Sequence, residues 1–319
     1  MATIISKQSG PWSSASSWNE GKIPSGTDEI TIATGHTIKL VNDFSVAKSL
    51  TVNGSLDLDN ATLAIGVGLK SSSYSDGVLT LGAGASITGQ GKISPVCGRI
   101  CSAATSDNWA SVGGAVQFYT PGTQVAAGKV NFELAYVSFT SSVDQIFSTQ
   151  GNDWSSGSFP QTLIFSHCVF NGPKNIDFGQ SGYTRGETEI DIQYCDFRNC
   201  MQVKIAGIQS DRVDEARNLK YCTFYNSDGT PCLISYLRFM GSLDMTGTVG
   251  VRVKIQGNPV DIADSFFLND NISNPLLAPG ANANTIADSY FYTLAAEAYN
   301  PKLLTGASLK NIVHEGPRN

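Results

Sequence analysis

The sequence predicts an all-β chain wound as a right-handed parallel β-helix, with an N-terminal cap. Two observations predict it. The first is a six-residue phrase: a large apolar residue, two variable residues, a small or thiol residue, one variable residue, then Phe. It returns as Leu134, Val137, Phe139; Phe165, Cys168, Phe170; Ile192, Cys195, Phe197; Leu219, Cys222, Phe224; Ile262, Ser265, Phe267; and Ile286, Ser289, Phe291. The steps from Phe to Phe are 31, 27, 27, 43 and 24 residues, the range of solenoid repeats. Apolar and polar positions alternate within each phrase. Two residues past each Phe stands Ser141, Gly172, Asn199, Asn226, Asn269 or Thr293, most of them turn formers. Each phrase therefore reads as a strand closed by a turn. The second observation is composition: 41 % of residues are hydrophobic, only 15 % are charged, and there are 32 glycines. Typical soluble domains carry about 25 % charge, and the excess of small residues suits many short strands joined by tight turns.

In chain order, residues 1–45 are read as the cap and first coil. They carry Gly10-Pro11-Trp12, Trp18, Gly21, Pro24, then Ile30 and Ile32, Ile38 and Leu40 in strict alternation. The first coil of a solenoid has an open end, and bulky rings such as Trp12 and Trp18 are expected to cover it and block edge-to-edge pairing. The competing role for exposed tryptophans is stacking on sugars. This opening resembles the N-terminal segment of right-handed parallel β-helix proteins, among them bacterial surface proteins and phage structural and tail-spike proteins. The resemblance covers about 60 residues and implies a way of starting a β-helix, not a chemistry.

Residues 46–293 are read as the helix body. Leu50 and Val52, Leu56 and Leu58, Leu63 and Ile65, Leu79 and Leu81, and Ile87 mark compact coils, punctuated by Asn53-Gly54 and Asp59-Asn60. Three segments that break the pattern are expected to be excursions: 94–130, 148–160 and 176–188. The 43-residue step holds Val249, Val251, Val253 and Ile255 alternating with Arg252 and Lys254, read as one additional strand of an extra coil. Residues 294–319 are read as a C-terminal cap and tail, with a short helix at 294–299 and a surface arm from His314. Roughly ten to twelve coils at the spacing of paired strands give a rod about 50–60 Å long.

The seven cysteines are an odd number. Cys168, Cys195 and Cys222 hold one place in the phrase and are expected to stack as an interior ladder of small hydrophobes. Cys97 with Cys101, or Cys195 with Cys200, would be weak evidence for a disulfide or half a metal site. The three histidines are far apart in sequence, and no metal or cofactor is expected. Asn199, Asn226 and Asn269 are read as a ladder of amides at coil corners, where Asn tolerates a left-handed backbone.

For chemistry, the densest local set is Arg185, Glu187, Glu189 and Asp191. Glu189 and Asp191 alternate with Ile190 and Ile192, so both leave the core on one face about 6.5–7 Å apart. That spacing falls in the range for a glycosidase pair, and Arg185 would neutralise an acidic sugar. The alternative is a solvated outer face. The net charge of −6 argues against nucleic-acid binding, and no apolar run is long enough to span a bilayer. The N-terminus lacks a basic segment followed by an apolar one, so synthesis in the host cytoplasm is expected. Together with the resemblance, these features give an expectation of a non-enzymatic virion structural protein. It would be a homotrimeric capsid decoration (cement) protein or short fibre, contacting the major capsid protein. The alternative is a receptor-binding tail spike that binds or cleaves host surface polysaccharide.

Overall fold

A computed structural model describes residues 2–67, 75–119, 130–147, 161–178, 188–206, 217–237, 243–258, 260–269, 283–293, 308–310 and 313–315. The chain forms a parallel β-helix. Two sheets of thirteen strands run its full length, the first from Thr3–Ile5 to Ser308–Lys310, the second from Gly10–Pro11 to Val313–Glu315. A third face is built from two shorter sheets. One has four strands between Phe44–Val46 and Gln117–Phe118; the other has five, from Gln145–Ile146 to Val253–Asn258. Among the described residues the pairings between these strands are all parallel, between successive coils. Crossovers between parallel neighbours of one sheet wind right-handed. Thirteen strands at the usual spacing make the rod about 58 Å long.

The core is one continuous column. In the second sheet the residues in register are Ile38, Leu56, Ile87, Val112, Phe139, Phe170, Phe197, Phe224, Gly250, Phe267, Phe291 and His314. The rings from Phe139 to Phe224 stack at 4.8, 5.0 and 4.8 Å, within 5° of parallel, and are fully buried. Stacked pairs contribute roughly 0.5–1.5 kcal/mol each beyond the area they bury. Gly250 interrupts the column. A Cβ there would stand 2.7 Å from Val253 Cγ2 and 2.8 Å from Phe267 Cδ1, so neighbouring coils fill the space a ring would have taken.

The structure revises several expectations. The six-residue phrase is not one strand. It spans the corner between the first and second sheets, where a residue with positive φ turns the chain. Residues 94–118 are not an excursion: Lys92–Pro95, Gly98–Ser102, Ala110–Gly114 and Gln117–Phe118 are strands of all three faces. Within the segment 176–188, Ile176 to Phe178 belong to the strand Asn175–Phe178; residues 148–160, 179–187 and 294–299 lie outside the described residues. The run 249–255 is two strands, Val249–Val251 and Val253–Asn258, with Arg252 at φ 55° turning the corner between them. With Leu243–Asp244 they make the extra coil. The segment around His314 is not a surface arm, because Val313–Glu315 pairs with Tyr290–Tyr292 and continues the second sheet.

Residues 1–45 already contain full coils, since Thr3–Ile5 pairs with Glu29–Ile32 and Gly10–Pro11 with Thr37–Lys39. Trp12 and Trp18 are buried, meet edge to face at 5.1 Å, and are tied by a hydrogen bond from Trp18 Nε1 to the Trp12 carbonyl. Residues 17–19 run antiparallel beside the first strand and bond to it through Lys7 N–H to Ser17 O and Asn19 N–H to Ile5 O. That strand's outer edge is thereby covered, and rings so buried offer no face to a sugar.

Candidate functional site

At the corner between the first and second sheets, one hydrogen bond repeats down the rod. The corner N–H donates to a carbonyl of the next coil: Tyr136 to Ser166, His167 to Gln193, Tyr194 to Lys220, Tyr221 to Thr246, Gly247 to Ala263, and Asp264 to Ala287. Each corner residue is left-handed, with φ between 47° and 68°. For a non-glycine residue this conformation costs about 1–2 kcal/mol. Asp and His enter it more readily than most residues; Tyr does not share that preference. Three tyrosines nonetheless stand there.

Their rings form a ladder. Tyr136 stacks on His167 at 4.9 Å, His167 on Tyr194 at 5.0 Å, and Tyr194 on Tyr221 at 4.9 Å. Trp109 closes the near end edge-on to Tyr136 at 5.6 Å. Stacking offsets the backbone strain, and the ladder lies on the surface, with Tyr194 51 % exposed. Tyr221 ends it. It leans over Gly247, where a Cβ would be 2.3 Å from its Cδ1, and it remains 44 % exposed.

Beyond Gly247 the corner position holds Asp264 and then Asp288, both exposed. On the second-sheet side the outer row continues as Val249, Phe266 and Tyr290. Val249 and Phe266 are exposed, and Phe266 stacks on Tyr290 at 5.1 Å. On the first-sheet side Asp244 is engaged by Lys220 Nζ at 2.8 Å and by the hydroxyl and N–H of Thr246. Burial pushes its carboxyl up, but these donors outweigh it and hold the group below its ordinary range.

Beneath the corner lies the thiol ladder that the phrase predicts. Cys168, Cys195 and Cys222 are buried and free. Each donates to a carbonyl of the preceding coil, Leu134, Phe165 or Ile192, at 3.5–3.7 Å. Thr248, Ser265 and Ser289 continue the row, Thr248 and Ser265 with hydroxyls bonded to the Leu219 and Met245 carbonyls. Burial raises the Cys168 and Cys195 thiols well above their usual value and pushes Cys200 up to about 12. Cys97 and Cys101 are also free and buried. These thiols are packing groups, inert as nucleophiles. Among the described residues no three His, Cys, Asp or Glu side chains come close enough to hold a metal.

The predicted amide ladder is offset by one position. Asn199, at φ 57°, donates to Asn171 Oδ1 at 2.9 Å and accepts from the Ser227 hydroxyl and N–H. Asn226 instead turns inward and closes on the N–H and carbonyl of Cys200, so it does not touch Asn199 as expected. The backbone of Asn269 pairs with Thr293.

Of the candidate acids, Glu189 is exposed and Asp191 half-buried on the outer face of Thr188–Gln193; Arg185 and Glu187 lie outside the described residues. The Asp191 carboxylate accepts from Gln193 Nε2 at 2.8 and 3.0 Å and from Asn218 Nδ2 at 2.9 Å. A carboxylate so engaged is restrained on a sheet face rather than aimed at a substrate.

The aromatic corner was missed from sequence, although a signal existed: the residue directly before the small position of the phrase is aromatic or His in four successive repeats. No protein-family model, curated protein or solved structure matches the chain.

Proposed function

We propose that this protein is a rigid structural component of a virion, a homotrimeric capsid decoration protein or short fibre docking on the major capsid protein. The observation that carries the reading is the continuous parallel register of the second sheet from Ile38 to His314, which makes the molecule a stiff spacer with long outer sheet faces. The aromatic corner and the apolar row of Val249, Phe266 and Tyr290 give it a surface suited to a neighbour. Seven free, buried cysteines fit folding in a reducing cytoplasm. The virion setting itself follows the resemblance of the opening segment.

The second reading is a spike that binds or cleaves polysaccharide, motivated by the outward Glu189 and Asp191. The amide bonds that occupy Asp191 weigh against cleavage. One experiment separates the two. Purified particles are assayed for the protein and its copy number, and the isolated protein is incubated with host surface polysaccharide. A fixed copy number in multiples of three, with intact polysaccharide, is the expected result. Release of oligosaccharides, or absence from the particle, overturns it.

A further inference from the structure

On the outer face of the second sheet, two rows of side chains run along the rod, one on each side of the buried column. The first row begins with Ser86, Ser111 and Ser138 and reaches Asp196 and Thr223. The second holds Thr140, Asn171, Arg198 and Tyr225 on the same coils as its neighbours in the first. Further along, both rows turn apolar: Val249 beside Val251, then Phe266 beside Leu268, then Tyr290. Val249, Phe266 and Tyr225 are exposed. One flat face therefore carries hydroxyls over its early coils, one acid and one base on a single coil in the middle, and an apolar patch near the far end.

We propose that two copies of the chain pair through this face, side by side and parallel, about a twofold axis that runs along the rod. Such an axis sets each residue of one row against the partner's residue of the other row on the same coil. Ser138 then meets the partner's Thr140, Val249 the partner's Val251, and Phe266 the partner's Leu268. Asp196 meets the partner's Arg198, and the contact is made twice. Arg198 already bonds Asp196 of its own chain and remains half exposed, and a guanidinium has donors for a second carboxylate. The other charges on the described part of the face, Lys39 and Asp57, stand opposite Thr37 and Ser55, so like charges do not meet. Area decides between parallel and antiparallel pairing. An antiparallel pair that keeps apolar against apolar overlaps only near the far end. Three strands there cover roughly 140 Å² per copy, too little for a specific contact. Thirteen strands in parallel cover roughly 600 Å² per copy, about 1,200 Å² in all, the lower bound of a stable interface. A partner of another fold lacks the coil rise that keeps the two sets of rows in step.

The pairing goes beyond the particle reading and does not rest on it. It leaves the first and third faces to any threefold contact, and it is tested on the isolated protein, so the two can fail separately. Light scattering after gel filtration, over a concentration series, gives the number of protomers. That number is expected to be even, and Phe266→Asp should halve it without changing the circular dichroism spectrum, because the side chain is exposed. Val249→Asp, at the exposed position one coil earlier, repeats the test should the first variant fold poorly. Asp196→Arg should weaken pairing about ten-fold, and adding Arg198→Asp should restore it to within about three-fold of the native value. A nitroxide on Thr88→Cys reads the direction, since the native thiols are buried. Parallel pairing puts the two labels within about 20 Å of each other, and Phe266→Asp should abolish that coupling. An odd number of protomers, a mass indifferent to both apolar-to-Asp variants, a charge swap that does not rescue, or labels far apart overturns the proposal.

Discussion

Phe197 shows how a single residue carries this fold. Its ring is sandwiched between Phe170 at 5.0 Å and Phe224 at 4.8 Å and has no exposed surface to speak of. Phe197→Ala removes both contacts and leaves a void that two sheets of paired backbone cannot close. It should cost about 3–5 kcal/mol in urea unfolding; a loss under about 1 kcal/mol would mean the ring is not in the column. Asp28 shows the electrostatic counterpart. Its carboxylate accepts from the Ser25 N–H and hydroxyl, from the Ala2 N–H and from Lys22. The Ser25 donors lead in holding its acidity far below the ordinary value of 3.8. A folded pKa below the unfolded one means stability that is present above about pH 4 and lost as pH falls through the folded value. The stability margin of the native chain over Asp28→Asn should therefore be widest at neutral pH and shrink as pH is lowered below about 4. A margin constant with pH would contradict this.

At the scale of the element, the corner between the two long sheets is the repeating unit, and it explains what could be read beforehand. Phe139 to Phe224 were legible because one residue type returned at near-constant spacing. The coil at 243–258 was legible as an extra coil from its alternating valines, but not its corner, because Met245, Thr248 and Gly250 carry the phrase with glycine in place of Phe. The last coil hid in the same way, since His314 stands in the Phe register beside Phe291. Tyr136, Tyr194 and Tyr221 fell in a slot read as variable, and only the left-handed turn reveals that the slot is one continuous edge. Completing the motif by Gly250→Phe should destabilise rather than improve the protein, by about 1–3 kcal/mol. Val253 and Phe267 already occupy the space; a higher melting temperature would show that they do not. The thiols on the inner side of the corner should stay unreactive to an exposed-thiol reagent in the native state, and all seven should react after unfolding. Fast labelling of Cys168, Cys195 or Cys222 in the folded protein would place them outside the core.

At the scale of the whole molecule, each coil touches chiefly its two neighbours, so the protein is close to a one-dimensional stack. Its core changes along the axis, from Ile, Leu and Val in the early coils to Phe between Phe118 and Phe224. The outer surface changes as well, from polar residues on the second sheet to Val249, Phe266 and Tyr290 near the far end. A structural role needs this stack to be straight and in register over its whole length. Spin labels at Ser55 and Thr223, six coils apart in one outer row, measure that directly, because the native thiols are buried and leave the introduced ones to be labelled selectively. Stacking predicts a narrow distance distribution near about 29 Å, falling to about 24 Å when the first label moves to Ser86. A broad distribution, or two distances that do not differ by one coil rise, would contradict the continuous column and the role drawn from it.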